Sequence, residues 1–195
     1  MRNSVSSGRL RISLRFRGTS SLGFSRQMPE LYQELIDSEW ILRVPPRPSH
    51  DRICQQLHRW VTRSLTSASS CRALPMRDQV ILSERNQFRP DLAMVTTATG
   101  KLWLAAEVIN QEDHHADTVM KKSVYEEIRI PRLWIVDPRY ENVEVYHATQ
   151  YGLSLRQTLT LKEVLAEPLL PGFEMPLSEL FSDRGDQTSL GTRDF

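Results

Sequence analysis

The sequence predicts a mixed domain of the α/β or α+β class, with one central mixed β-sheet flanked by helices and an N-terminal hairpin and helix. Three observations lead there. Ile53, Leu57, Trp60, Val61 and Leu65 recur at offsets of four, three, one and four, the period of an amphipathic helix. Leu102 to Ile109 is apolar at nearly every position, as in a strand covered on both faces. A helix-like stretch from Asp113 to Glu127 then separates that strand from the apolar segment Arg132 to Val136, the order of a parallel crossover.

The remaining elements follow in order. Tyr32 to Val44 holds two short apolar stretches split by Asp37-Ser38, which reads as a hairpin. Pro45, Pro46 and Pro48 end it, because proline cannot continue a hydrogen-bonded ladder. Ser49 is the expected N-cap of the first helix, with Asp51 and Arg52 in its first turn. The polar face of that helix carries Arg52, Gln55, Arg59 and Arg63. Gln79 to Leu82, Leu92 to Val95 and Val143 to His147 read as further strands, and Leu177 to Phe181 as a docking turn of helix.

Composition narrows the class of function. The chain has 195 residues and a net charge of +1, so a nucleic-acid role would rest on a local patch rather than on a global basic field. No apolar run approaches the roughly 20 residues that span a bilayer, so no membrane partner is expected. Cys54 and Cys71 lack the spacing of a zinc site or a disulfide framework and read as reduced thiols of a cytoplasmic protein. Residues 1–27 hold six arginines, seven serines and no acid, the composition of a transit peptide or of a disordered basic extension. The expected organisation is that extension, a domain over 28–182, and a polar tail over 183–195.

Three polar features stand out against the apolar pattern. Glu107 interrupts a run of Leu-Trp-Leu-Ala-Ala before it and Val-Ile after it. An ionised carboxylate in a buried strand costs several kcal/mol unless a cation or metal compensates it; a strand-end glutamate that reaches water or pairs with an arginine is the plainer reading. Asp91 follows Pro90 at the mouth of the next strand back, where it serves a turn or points at the same location as Glu107. Hard divalent ions such as Mg²⁺ take one or two carboxylates of this kind. Asp117, Lys121 and Tyr125 are spaced four and four, one stripe of a helix, either a solvated face or a set that reaches Glu107.

These residues resemble the Uma-type family of putative restriction endonucleases, within the PD-(D/E)XK nuclease superfamily. The matching segments are Tyr32-Gln-Glu-Leu-Ile-Asp-Ser-Glu39, Ser49-His50, Pro90-Asp91, Ala106-Glu107-Val108 and the Asp117, Lys121, Tyr125 spacing. Ile130-Pro-Arg-Leu-Trp-Ile-Val-Asp-Pro138, Val143-Glu-Val-Tyr146 and Leu170-Pro-Gly-Phe173 complete the series. The resemblance implies a restriction-endonuclease-like core in which Asp91 and Glu107 ligate Mg²⁺ or Mn²⁺ and Lys121 completes the catalytic set. Asp117 and Tyr125 would support it. The superfamily's usual lysine position, two residues after the glutamate, is Ile109 here, and Lys121 matches the place from which this family is thought to supply it. Two departures concern Ser38, where the family usually has glycine, and Ile109-Asn110-Gln111, where it has a Ser-Pro type segment.

The expected function is therefore metal-dependent hydrolysis of DNA phosphodiester bonds, with Arg52, Arg59 and Arg63 as candidate phosphate contacts and a homodimer as the implied assembly. The alternative is an inactive nuclease-fold protein that binds nucleic acid or serves a mobile element. Adjacent His114 and His115 point about 100° apart on a helix and are not expected to share an ion. His50 is expected to cap its helix or bond to a loop.

Overall fold

The computed structural model describes residues 31–110 and 114–182. The N-terminal extension, the polar C-terminal tail and the first residue of the Asp113 helix lie outside the described residues. Among the described residues, twelve strands and three α-helices follow one another. The first half holds β1 (Tyr32–Ile36), β2 (Glu39–Arg43), α1 (Pro48–Ser64), β3 (Cys71–Ala73), β4 (Val80–Ser83), β5 (Asn86–Phe88), β6 (Leu92–Thr96) and β7 (Leu102–Val108). A π-helical segment, Ala116–Lys121, runs directly into α2 (Lys122–Glu127). Then come β8 (Arg132–Asp137), β9 (Asn142–Thr149), β10 (Gly152–Leu159), β11 (Val164–Ala166), β12 (Glu174–Pro176) and α3 (Leu177–Leu180).

The central sheet has six strands in the order β10-β9-β8-β7-β6-β3. Only the β7–β8 pair is parallel, and the π segment and α2 form its crossover. Every residue of β7 is buried, which is why its sequence lacks the alternation of a half-exposed strand. One face packs on α1: Ile53, Leu57 and Val61 meet a cluster that includes Leu92, Met94, Leu104 and Trp134. Trp134 stacks on Phe173 with ring centroids 5.5 Å apart. The other face buries Ala93, Val95, Ala105, Leu133 and Ile135 with Val124 and Tyr125 of α2.

The hairpin is part of a separate four-stranded sheet, β2-β1-β5-β4. Its two-residue turn puts both Asp37 (φ 50°) and Ser38 (φ 72°) in the left-handed region, as the tightest hairpins require. Glycine would adopt this backbone freely. Here Arg85 reinforces it, its carbonyl accepting the Ser38 amide at 2.9 Å and its Nε donating to Ser38 Oγ at 3.1 Å.

Two local expectations are corrected. Helix α1 begins at Pro48, with Arg47 as N-cap and no side-chain capping bond; proline's fixed φ starts the helix one residue before Ser49. The Asp117–Tyr125 stretch is not one continuous α-helix. The wider i→i+5 winding of the π segment turns both Asp117 and Lys121 inward, where each is buried.

Candidate active site

The register of the central sheet brings the two conspicuous carboxylates together. Leu92 pairs with Ala106, so one step further along the antiparallel ladder Asp91 stands opposite Glu107. Asp91 is held from several sides. Its Oδ2 accepts the Val108 amide at 2.9 Å and lies 3.3 Å from His50 Nε2, and its Oδ1 accepts Arg77 Nε at 3.1 Å. Its carbonyl accepts His58 Nε2 at 2.8 Å. Burial opposes ionisation, but the His50 contact, Arg77 and the Val108 amide together hold the Asp91 carboxyl well below its ordinary range.

Glu107 is 1% exposed and accepts two hydrogen bonds, from Tyr125 OH to Oε1 at 2.6 Å and from Lys121 Nζ to Oε2 at 3.0 Å. Burial raises its pKa to about 8, with Asp117, Asp91 and Glu34 adding to the rise against the pull of Lys121. Lys121 is itself 1% exposed and lies 2.9 Å from Glu34 Oε1 and 3.3 Å from Asp117 Oδ1. Burial works against its charge, yet Glu107, Glu34 and Asp117 hold its pKa well above the ordinary lysine value.

A second cation closes the network. Arg43 donates to Glu34 Oε2 at 2.6 Å and to both oxygens of Asp117 at 2.9 Å. Glu34 also accepts the Arg89 amide at 2.6 Å. The carboxylates Glu34, Asp91, Glu107 and Asp117 therefore share the cations Arg43, Lys121 and Arg77, the last of which also pairs with Asp51.

A small cavity of about 10 Å³ lies among Tyr32, Arg43, His50, Asp91, Glu107 and Lys121. That is room for about one water-sized particle. Hard oxygen donors and a polar lining suit a divalent cation of the Mg²⁺ type. Asp91 and Glu107 each keep oxygen lone pairs beyond those their protein donors use. His50, Cys54 and Asp91 also present one ligand atom each within 4.8 Å of one another.

The structure thus brings together five of the residues singled out in the sequence: Asp91, Glu107, Asp117, Lys121 and Tyr125. Ile109 is 5% exposed and packs in the core beside α2, so it carries no site chemistry. His50 makes no capping bond; its Nε2 donates to the Val108 carbonyl at 2.9 Å. His114 and His115 are exposed. Arg52, Arg59 and Arg63 do not line the cavity. Sequence reasoning missed Glu34, Arg43 and Arg77. A signal for the first existed: Glu34 shares a strand face with Tyr32 and Ile36, an acid where period two calls for an inward residue.

Comparison with known proteins bears on the family and the fold. No curated protein matches the chain. Among solved structures, a putative nuclease belonging to DUF820 from Anabaena variabilis aligns with a TM-score of 0.64 at 13% identity, covering 76% of this chain and 89% of that one. At that identity the likeness is one of fold. The family model described as "Putative restriction endonuclease" matches residues 24–178, and on that match the chain belongs to the Uma2 family.

Proposed function

We propose that the chain is a divalent-metal-dependent endonuclease that hydrolyses DNA phosphodiester bonds. The observation that carries this reading is the register that sets Asp91 opposite Glu107, with Lys121 Nζ 3.0 Å from Glu107 Oε2. Asp91 and Glu107 would hold Mg²⁺ or Mn²⁺. Such an ion supplies a Lewis acid for a phosphate oxygen and lowers the pKa of a bound water.

The chain's own residues do the rest. Asp91 is kept ionised by its donors and is ready to ligate. Glu107 gives up a proton when it takes an ion, because burial raises its pKa to about 8. Lys121 keeps its charge, and its ammonium can turn from Glu107 toward a phosphate oxygen, where it stabilises charge that builds up in the transition state. Asp117 and Tyr125 fix Lys121 and Glu107 in place. DNA is the partner. A homodimer would bring the two such sites that a double-strand break needs, and the free thiols of Cys54 and Cys71 suit a reducing cytoplasm.

The test is incubation with supercoiled plasmid and with single-stranded DNA, in Mg²⁺, in Mn²⁺ and in chelator, with Asp91→Ala as control. Cleavage that needs metal and Asp91 is the expected result. Intact substrate under every condition would favour an inactive nuclease-fold protein that binds nucleic acid.

A further inference from the structure

Arg77 contacts a group of side chains of metal-ligating type. Its Nη2 is 3.0 Å from His50 Nδ1 and 3.9 Å from Cys54 Sγ, and makes a short contact to Asp51 Oδ1. Its Nε lies 3.1 Å from Asp91 Oδ1. One guanidinium thus touches a nitrogen, a sulfur and two carboxylates, the donor set of a transition-metal site. His50, Asp51 and Cys54 come from a single stretch of α1, and Asp91 from the end of the ladder. The His50, Cys54 and Asp91 ligand atoms lie within 4.8 Å of one another, close enough to converge on one ion with small adjustments.

Arg77 is fixed in that role. Its φ of 57° places a non-glycine residue in the left-handed region, which persists only where neighbours enforce it. The turn around it is closed by the Asp78 amide on the Pro75 carbonyl at 3.1 Å, and Arg89 Nη1 donates to the Arg77 carbonyl at 3.2 Å. The arginine donor on Nδ1 leaves Nε2–H as the donor to the Val108 carbonyl at 2.9 Å, so both imidazole nitrogens are engaged. Arg77 is absent from the lining of the cavity beside Glu107, whereas Asp91 and His50 are part of it.

We propose that Arg77 is a built-in cation that closes a latent transition-metal site at His50, Cys54 and Asp91, and so makes this centre selective for hard divalent ions. Zinc and its like are turned away because thiol and imidazole are covered by a charge that cannot be deprotonated. Asp91 is left with its other side for an ion shared with Glu107; this half of the proposal rests on the reading of those two residues as metal ligands.

Co²⁺ titration separates the two halves, since a thiolate–cobalt bond gives a charge-transfer absorption that a carboxylate site lacks. The wild-type chain is expected to show no such band. Arg77→Met is expected to gain it, and Arg77→Met with Cys54→Ala to lose it again. A cysteine-dependent band in the wild type, or a folded Arg77→Met without one, overturns the proposal. If Arg77→Met does not fold, histidine nitrogen NMR on the wild type still decides: His50 should hold its Nε2–H form unchanged on adding Zn²⁺, and a shift at Nδ1 would refute it. Mg²⁺ calorimetry on the wild type and Glu107→Gln, run in parallel, tests the ligand reading alone. Equal Mg²⁺ affinity there would sink the metal assignment while leaving the cobalt result to stand or fall by itself.

Discussion

Lys121 Nζ lies 3.0 Å from Glu107 Oε2, although the two side chains come from a π-helical segment and a central strand. The pair is buried, and the same ammonium also serves Glu34 and Asp117. Removing it leaves Glu107 without a cation and leaves Glu34 and Asp117 with Arg43 alone.

Lys121→Ala should therefore cost stability as well as cleavage, by about 3–5 kcal/mol, the usual penalty for breaking a buried pair from one side. Lys122 offers the control. Its ammonium sits over the Tyr146 ring at 3.9 Å, a contact worth about 0.5–1 kcal/mol. Chemical denaturation of both variants, followed by single-turnover cleavage, checks the contrast. A Lys121→Ala protein as stable as Lys122→Ala would show that the network carries little energy.

The Glu107 proton gives a signed pH dependence. Its folded pKa of about 8 exceeds the ordinary 4.5, so the folded state holds a proton that the unfolded state has lost. That contribution to stability is fully present below about pH 4.5 and is lost as pH rises through 8. Glu107→Gln should flatten the decline in metal-free thermal midpoint between those values. Metal affinity should run the opposite way, rising toward pH 8 as the competing proton leaves. An affinity independent of pH would mean that Glu107 is already ionised.

Buried and exposed pairs should behave differently. Arg43 bridges Glu34 and Asp117 inside the protein, and Arg43→Ala should cost about 3–5 kcal/mol. Arg85 pairs with Asp37 on the surface, where both side chains are more than 60% exposed, and Arg85→Ala should cost at most about 1 kcal/mol. Urea midpoints of the two variants test the difference.

Ser38→Gly should stabilise the hairpin by about 0.5–1 kcal/mol, since φ 72° strains a residue with a Cβ. The hydroxyl contact to Arg85 that it removes is exposed. A lower midpoint for this variant would show that contact outweighs the backbone strain.

What was legible in the sequence follows from period and burial. Helix α1 was readable because Ile53, Leu57 and Val61 repeat at helical spacing and all three are buried. Strand β7 was readable because its residues are apolar on both faces. Glu107 drew attention because it breaks that run. Strands β3 and β5, three residues each, are too short to show a period. Strand β10 was missed although Leu153 and Leu155 alternate with Ser154 and Arg156; the period is short, it breaks at the bulge between Leu155 and Gln157, and the strand is an exposed or half-exposed sheet edge.

The site was half legible for a related reason. Asp91, Glu107 and Lys121 lie in segments whose patterns point at them. Arg43 and Arg77 reach the site from a hairpin and a turn, through pairings 74 and 14 residues away in sequence, which no local period encodes.

The most direct measurement of the central claim is Mn²⁺ binding by calorimetry to the wild-type chain, Asp91→Asn and Glu107→Gln at pH 8. One ion per chain is expected for the wild type, with affinity lowered about 10–100-fold in each variant, the loss typical of a site deprived of one supporting group. Either neutral variant binding Mn²⁺ as tightly as the parent would contradict the assignment of Asp91 and Glu107 as the metal-holding pair.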